Sequence, residues 1–231
     1  MAKQQVKSGD NVTRWIVIAM VLLVVASGVF FSMISQNNKE NESLAALDGF
    51  ESKGAITSTI DVENGSAITF NPGLAKIVDV WEDPQCPACK SFEEVSGEYI
   101  DSLVREKKTT VRFHVLSFLG DESVRAANAS FCAAGEGRYL DFHKALYLVQ
   151  SPLENSGFWS NETLIAIGKK VGITSEKFAT CVTDGQKVNL VQANSESMSK
   201  YGVQGTPTVF IDGIKVSDPS PDGLRALIEG N

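Results

Sequence analysis

Residues 74–92 read LAKIVDVWEDPQCPACKSF, and the succession of residue types in this stretch sets the fold class. Leu74 to Trp81 is an apolar run with β-branched residues, the composition of a buried strand. Glu82-Asp83-Pro84-Gln85 then interrupts it. From Cys86 to about Lys107 the apolar residues Phe92, Val95, Tyr99, Leu103 and Val104 fall on one face of a helix. A strand therefore feeds directly into a helix that Cys86 and Cys89 open, with Pro87 at a first-turn position where a missing N–H costs nothing.

Working outward, Ala67–Phe70 reads as a short strand, Asn71-Pro72-Gly73 as a turn, and Thr109–Phe118 (TTVRFHVLSF) as a second long strand. Helical patterns dominate from Glu122 to Tyr201, broken at Gly135-Glu136-Gly137 and around Ser151–Ser160. Strand character returns at Thr208–Ile211, turns at Asp212-Gly213, continues through Ile214–Val216, and is followed by an amphipathic helix over Leu224–Ile228. The predicted fold is α/β: a mixed sheet covered by helices, with a helical block inserted at about 119–201.

Trp15 to Ser35 carries no charge and is about as long, as a helix, as a bilayer core is thick. It reads as a transmembrane helix; a cleaved signal peptide is the alternative, with a weak cleavage site at Val25-Ala26-Ser27. Lys3, Lys7 and Arg14 precede it, so the amino terminus is expected in the cytoplasm. The chain is thus divided into a cytoplasmic tail (1–14), an anchor (15–35), a polar extracytoplasmic linker (36–58) and one globular domain (59–231). Beyond residue 35 the net charge is about -9, within a total of -7, which excludes nucleic acid as a partner.

Of the four cysteines, Cys86 and Cys89 sit where helix N–H groups and the dipole favour a thiolate at the first of them, and Cys89 is one turn on, placed to resolve a mixed disulfide. Half of a zinc site is the competing interpretation, but Cys132, Cys181, His114 and His143 form no second close pair, and neither metal nor cofactor is expected beyond the dithiol. Cys132 and Cys181 fall in the helical block and are expected to pair with each other, free buried thiols being the alternative. Glu82 and Asp83 are candidates for proton transfer with Cys89, or are solvated loop charges. His114 and His143 are expected to be packing residues, and Phe158 and Trp159 part of a buried aromatic cluster. Gly205-Thr206-Pro207-Thr208 precedes a strand; a cis bond there would offer the Thr206 backbone to an extended client.

Three blocks carry a family resemblance: residues 80–89 (VWEDPQCPAC), 139–146 (YLDFHKAL) and 203–213 (VQGTPTVFIDG). Together they resemble the thioredoxin superfamily over roughly 66–230, specifically its DsbA-like branch with an inserted helical subdomain, including membrane-anchored forms of Gram-positive and actinobacterial type. The resemblance implies Cys86 as nucleophile, Cys89 as resolving thiol, Pro207 as a cis-proline with Thr206 before it, and thiol-disulfide exchange as the activity. It implies unfolded, cysteine-containing exported proteins as clients and a quinone-linked membrane reoxidase, a DsbB or VKOR homologue, as partner. Many relatives have a buried carboxylate where this chain has Val80, and some strong oxidants have His where it has Ala88, so a reductase or isomerase held reduced by a membrane donor stays open. A redox-inert, membrane-tethered peptide-binding module is the other alternative.

The expected orientation is tested in intact cells. External protease should digest the domain, while a cysteine introduced beside Lys7 stays protected from impermeant thiol reagents; labelling there from outside would reverse the topology.

Overall fold

The computed structural model describes the backbone of residues 9–230 and the side chains of 14–30 and 44–230. The chain divides into two units, Met1–Glu42 and Ser43–Asn231. Helix α1 (Gly9–Ala45) contains the apolar segment, and its large apolar side chains from Trp15 to Phe30 are exposed. Residues 1–8 of the expected tail, and the side chains of residues 31–35, lie outside the described residues. Among the described residues no helix is long and apolar enough to cross a membrane.

The second unit is built on a six-stranded sheet in the order β1-β2-β4-β3-β5-β6. Its strands are β1 (Thr59–Asp61), β2 (Ala67–Phe70), β3 (Ile77–Glu82), β4 (Thr110–Val115), β5 (Thr208–Ile211) and β6 (Ile214–Lys215). Only β3 and β4 are parallel, and the helical crossover that parallel strands require is the segment opened by the cysteines. β3 lies between β4 and β5 and is buried from Val78 to Glu82, which explains its largely apolar, β-branched composition; its buried Asp79 is paired with Arg112 and His114. Asp212 and Gly213 take φ of 51° and 79°, the left-handed pair that a tight hairpin requires, and Ile211 pairs with Ile214 across them. β1, three residues at the sheet edge, carries too little pattern to have been read from sequence.

The crossover was expected as one helix. It is α2 (Pro87–Phe92), a π-helical turn (Glu93–Gly97) and α3 (Glu98–Arg105). Side-chain spacing scarcely registers one wide turn, and such turns collect at functional sites.

Helices α4 (Asp121–Gly135), α5 (Tyr139–Leu148), α6 (Asn161–Lys170), α7 (Glu176–Thr183) and α8 (Val188–Ser197) lie between β4 and β5. Their shared core includes Phe142, Leu146, Trp159, Leu164, Ile167 and Phe178, and the Cys132–Cys181 disulfide joins α4 to α7 within it. Helix α9 (Pro221–Glu229) closes the chain, its start capped by the Ser220 hydroxyl, which accepts from Gly223 N–H.

The expected linker at 36–58 needs correction. Residues from Ser43 onward belong to the folded unit. Leu47 is buried in the helical core, Asp48 pairs with Lys170, Lys53 pairs with Glu98 and Asp101, and Ile56 N–H donates to Gly137 O. One buried leucine and a few ion pairs leave no periodic signal, so a packed, irregular strap reads in sequence like a tether.

The disulfide closes a loop across a separation of 49 residues. Chain-entropy arithmetic values such a closure at about 4 kcal/mol. Replacing both Cys132 and Cys181 by Ala should lower Tm by roughly 5–15 °C in a thermal melt while leaving thiol exchange at Cys86 near the original rate. An unchanged Tm would remove the bridge from the stability of the domain.

Candidate active site

Sheet register brings the site together. Trp81 on β3 pairs with Thr208 on β5, and the strands are antiparallel, so the chain preceding Thr208 runs alongside the chain following Trp81. Thr206 and Pro207 thereby meet the Glu82–Cys86 loop, and Cys86 Sγ lies 3.5 Å from the Thr206 carbonyl oxygen. The Thr206–Pro207 peptide is cis.

Cys86 is the N-cap of α2 and Pro87 the first helical residue. Cys86 keeps 8% of its surface accessible, whereas Cys89 keeps none, and both are free thiols. The Cys86 thiol is lowered to about 5, chiefly by the Cys89 S–H directed at it, against burial, with help from Thr206 and the backbone N–H groups of Cys89 and Ala88. Burial, then the Cys86 sulfur and the charge of Glu82, drive Cys89 far upward. One thiol of the pair is thus a thiolate at neutral pH and the other a firmly held S–H. The Thr206 hydroxyl is buried and makes no formed hydrogen bond, although it lies near enough to favour the thiolate of both sulfurs.

The loop before Cys86 is held by the helical block. Asp83 is fully buried: one carboxylate oxygen accepts from Gln85 N–H at 2.9 Å and from the Ser123 hydroxyl, the other from Leu119 N–H at 3.2 Å. Burial raises its pKa to about 6 in spite of those donors. Gln85 accepts from Asn155 N–H at 2.7 Å, Gln150 donates to the carbonyls of Pro84 and Cys86 at 2.8 and 3.1 Å, and the Tyr147 hydroxyl donates to Asp83 O at 3.2 Å. With three donors on its oxygens, Asp83 anchors the loop.

Glu82 is different. It is buried at the end of β3, and Oε2 lies 2.9 Å from His143 Nε2 while Oε1 has no partner outside a carboxylic acid. His143 Nδ1 faces Glu93 Oε2 at 3.6 Å, and Glu93 Oε1 is likewise unpartnered. These three residues keep their polar atoms within 4.8 Å of one another, compact enough for a cation or a shared proton. Burial raises Glu82 well above the carboxylate range and Glu93 to about 8, the protonated form of each being favoured where two carboxyls adjoin in a buried cluster. Burial also lowers His143, leaving the imidazole neutral.

Neither acid is a solvated loop charge, then, and His143, expected only to pack, is bound to Glu82. Glu93, Tyr147, Gln150, Ser123 and Asn155 were not singled out from sequence; the 139–146 block was the nearest signal, since α5 carries His143 and Tyr147. His114 is a packing residue: it is buried, bonded to Asp79 at 2.9 Å and stacked on Trp81 at 3.6 Å between ring centroids. Trp159 is buried in the helical core, in edge contact with Phe158.

A buried dithiol at the head of a helix, a proline loop facing it and a helical insertion define a thioredoxin-fold redox class. Residues 72–230 match the family model described as thioredoxin. A protein named "Probable disulfide bond formation protein D" from Bacillus anthracis is 24% identical over 229 residues, covering 93% of each chain. The reduced DsbA of Mycobacterium tuberculosis is 25% identical, with a TM-score of 0.62 over 71% of this chain and 91% of that one. The serine/threonine-protein kinase PknE of the same species is 30% identical over 166 residues, which cover 65% of this chain and only 29% of the kinase. The chain belongs to the thioredoxin family, and the solved structures it resembles include DsbA-type proteins.

The lowered Cys86 pKa has a direct readout. Alkylation of the reduced protein should be confined to Cys86, with a rate that rises through a midpoint near pH 5 and is flat above pH 7. A midpoint near that of an ordinary thiol, about 8.5, would show that the surroundings do not favour the thiolate.

Proposed function

We propose that this chain is a membrane-anchored, extracytoplasmic oxidase that donates the Cys86–Cys89 disulfide to exported proteins carrying reduced cysteines. A client thiolate attacks Cys86 Sγ, the Cys86–Cys89 bond breaks, and Cys89 departs and takes up a proton. A second client thiolate then attacks the client sulfur of the mixed disulfide and expels Cys86 as its thiolate. The client loses two electrons and the dithiol gains them.

The observation that carries this direction is the Cys86 thiol lowered to about 5 at the start of α2. A low-pKa sulfur is a fast leaving group, and stabilising it stabilises the reduced enzyme, which makes the disulfide oxidising. Thr206 beside Cys86 supports recognition of an extended client through backbone hydrogen bonds, with Pro207 holding that loop against the site. Glu82, buried and coupled to both sulfurs, is the residue we assign to proton transfer with Cys89; Asp83 is assigned to holding the loop. The exposed apolar surface of α1 and the basic residues preceding it support anchoring with the domain outside, where a quinone-linked DsbB or VKOR homologue would restore the disulfide.

Cys89→Ser should accumulate client mixed disulfides on Cys86, seen as thiol-reversible bands on non-reducing gels, whereas Cys86→Ser should accumulate none. Adducts appearing in the Cys86→Ser variant would reverse the two roles. A wild-type dithiol found mostly oxidised in a glutathione buffer poised at the thioredoxin potential would place the protein with the reductases instead.

A further inference from the structure

In the oxidase reaction Cys89 leaves as a thiolate in a position with no solvent access, so its proton must come from within the protein. Glu82 is the acid beside it, yet Glu82 is itself buried, leaving open how that acid is recharged. His143 and Glu93 adjoin Glu82, and both line a cavity of about 200 Å³ on the α3–α5 face. Gly97, Glu98, Asp101 and Lys144 line the same cavity.

We propose that Glu82, His143 and Glu93 form a proton path that links Cys89 to solvent through this cavity, with Glu93 as the outer proton-exchanging group and His143 as the residue that positions both carboxyls. This rests on the oxidoreductase role of the dithiol and assigns the route by which its buried sulfur is protonated. The transfer balances: as the Cys86–Cys89 bond breaks, the Glu82 carboxyl gives its proton to the departing Cys89 sulfur. The resulting carboxylate recovers a proton from Glu93, and Glu93 from water in the cavity. Reoxidation runs the same proton outward.

Four observations meet in this placement. Both carboxyls have an oxygen without a partner unless a proton lies between them. His143 contacts one carboxylate through each ring nitrogen, at 2.9 and 3.6 Å. Glu93 opens the π-helical turn, and its carboxyl lies in the cluster with Glu82 and His143. Gly97 closes that turn, and a methyl group there would collide with the Glu93 carboxylate. Absence of a side chain at residue 97 thus keeps Glu93 in the cluster. The groups facing Glu93 are Glu82 from β3, His143, Tyr139 and Tyr147 from α5, and Asp101 from α3, with Glu94, Glu98 and Lys144 at the cavity mouth. Among these, burial and then the neighbouring Glu82 favour the protonated carboxyl, and His143 opposes it.

The test uses the full chain in detergent micelles and follows reduction of its Cys86–Cys89 disulfide by glutathione from pH 5.5 to 9.5, taking the wild-type to variant rate ratio at each pH so that the glutathione titration cancels. Glu93→Gln should be slower by about tenfold or more near pH 7, with the gap closing above about pH 9, where the wild type has also lost its proton. Gly97→Ala, which keeps every titratable group and displaces the Glu93 carboxyl, should give the same pH-dependent ratio, and it decides the matter if Glu93→Gln fails to fold. A ratio of one, or a ratio constant across the pH range, would overturn the path and leave the oxidoreductase role standing; a wild type that does not exchange with glutathione would overturn both. Zinc retained stoichiometrically by the wild type after dialysis and lost in Glu93→Gln would also overturn it, because a cation and the shared proton compete for the same oxygens.

Discussion

The pairing of β3 with β4 on one side and β5 on the other is the constraint on which the site depends. Trp81 is opposed by His114 and by Thr208, and this double register fixes where β3 ends. The first residues past that end must then face the loop that enters β5. Cys86 and Thr206 are 120 residues apart in sequence and meet for this reason alone. A one-residue slip of either strand would turn its alternate side chains to the wrong face and separate the sulfur from the loop.

Burial then decides the chemistry. Two thiols three residues apart in water would titrate alike; here the Cys89 S–H, with Thr206 and the backbone N–H groups of the helix start, makes one an anion, while exclusion from solvent holds the proton on the other. The same exclusion applies to the neighbouring acids. An isolated carboxylate in such a place is costly, and protonation is the usual escape, toward which burial pushes both Glu82 and Glu93. Asp83, equally buried, has its charge matched by three donors and serves as a fixed anchor. Neighbouring carboxyls thereby acquire different roles through their hydrogen bonds.

The helical insertion is joined to this arrangement and not merely appended to the sheet. Ser123 on α4, Tyr147 on α5, and Gln150 and Asn155 in the segment after α5 all bond to the Asp83–Cys86 loop, so the block that the disulfide staples also sets the backbone leading into Cys86. Residues 43–58 strap the outside of the same block through Leu47, Asp48 and Ser52, the last bonded to Asp141.

Local pattern in the sequence determined the elements and the reactive pair: a β-branched run, a helix begun by Cys-Pro-Ala-Cys, an Asp-Gly hairpin and a helical block between strands. Those features are written in consecutive residues, because strand and helix periodicities and turn chemistry are short-range. The tertiary structure decided what no short window contains: the strap in place of a linker, the wide turn at Glu93, and the company of Glu82. Its partners come from α5 and from the π-helical turn, and whether a glutamate is a solvated charge or a proton store depends on the water that those distant elements exclude.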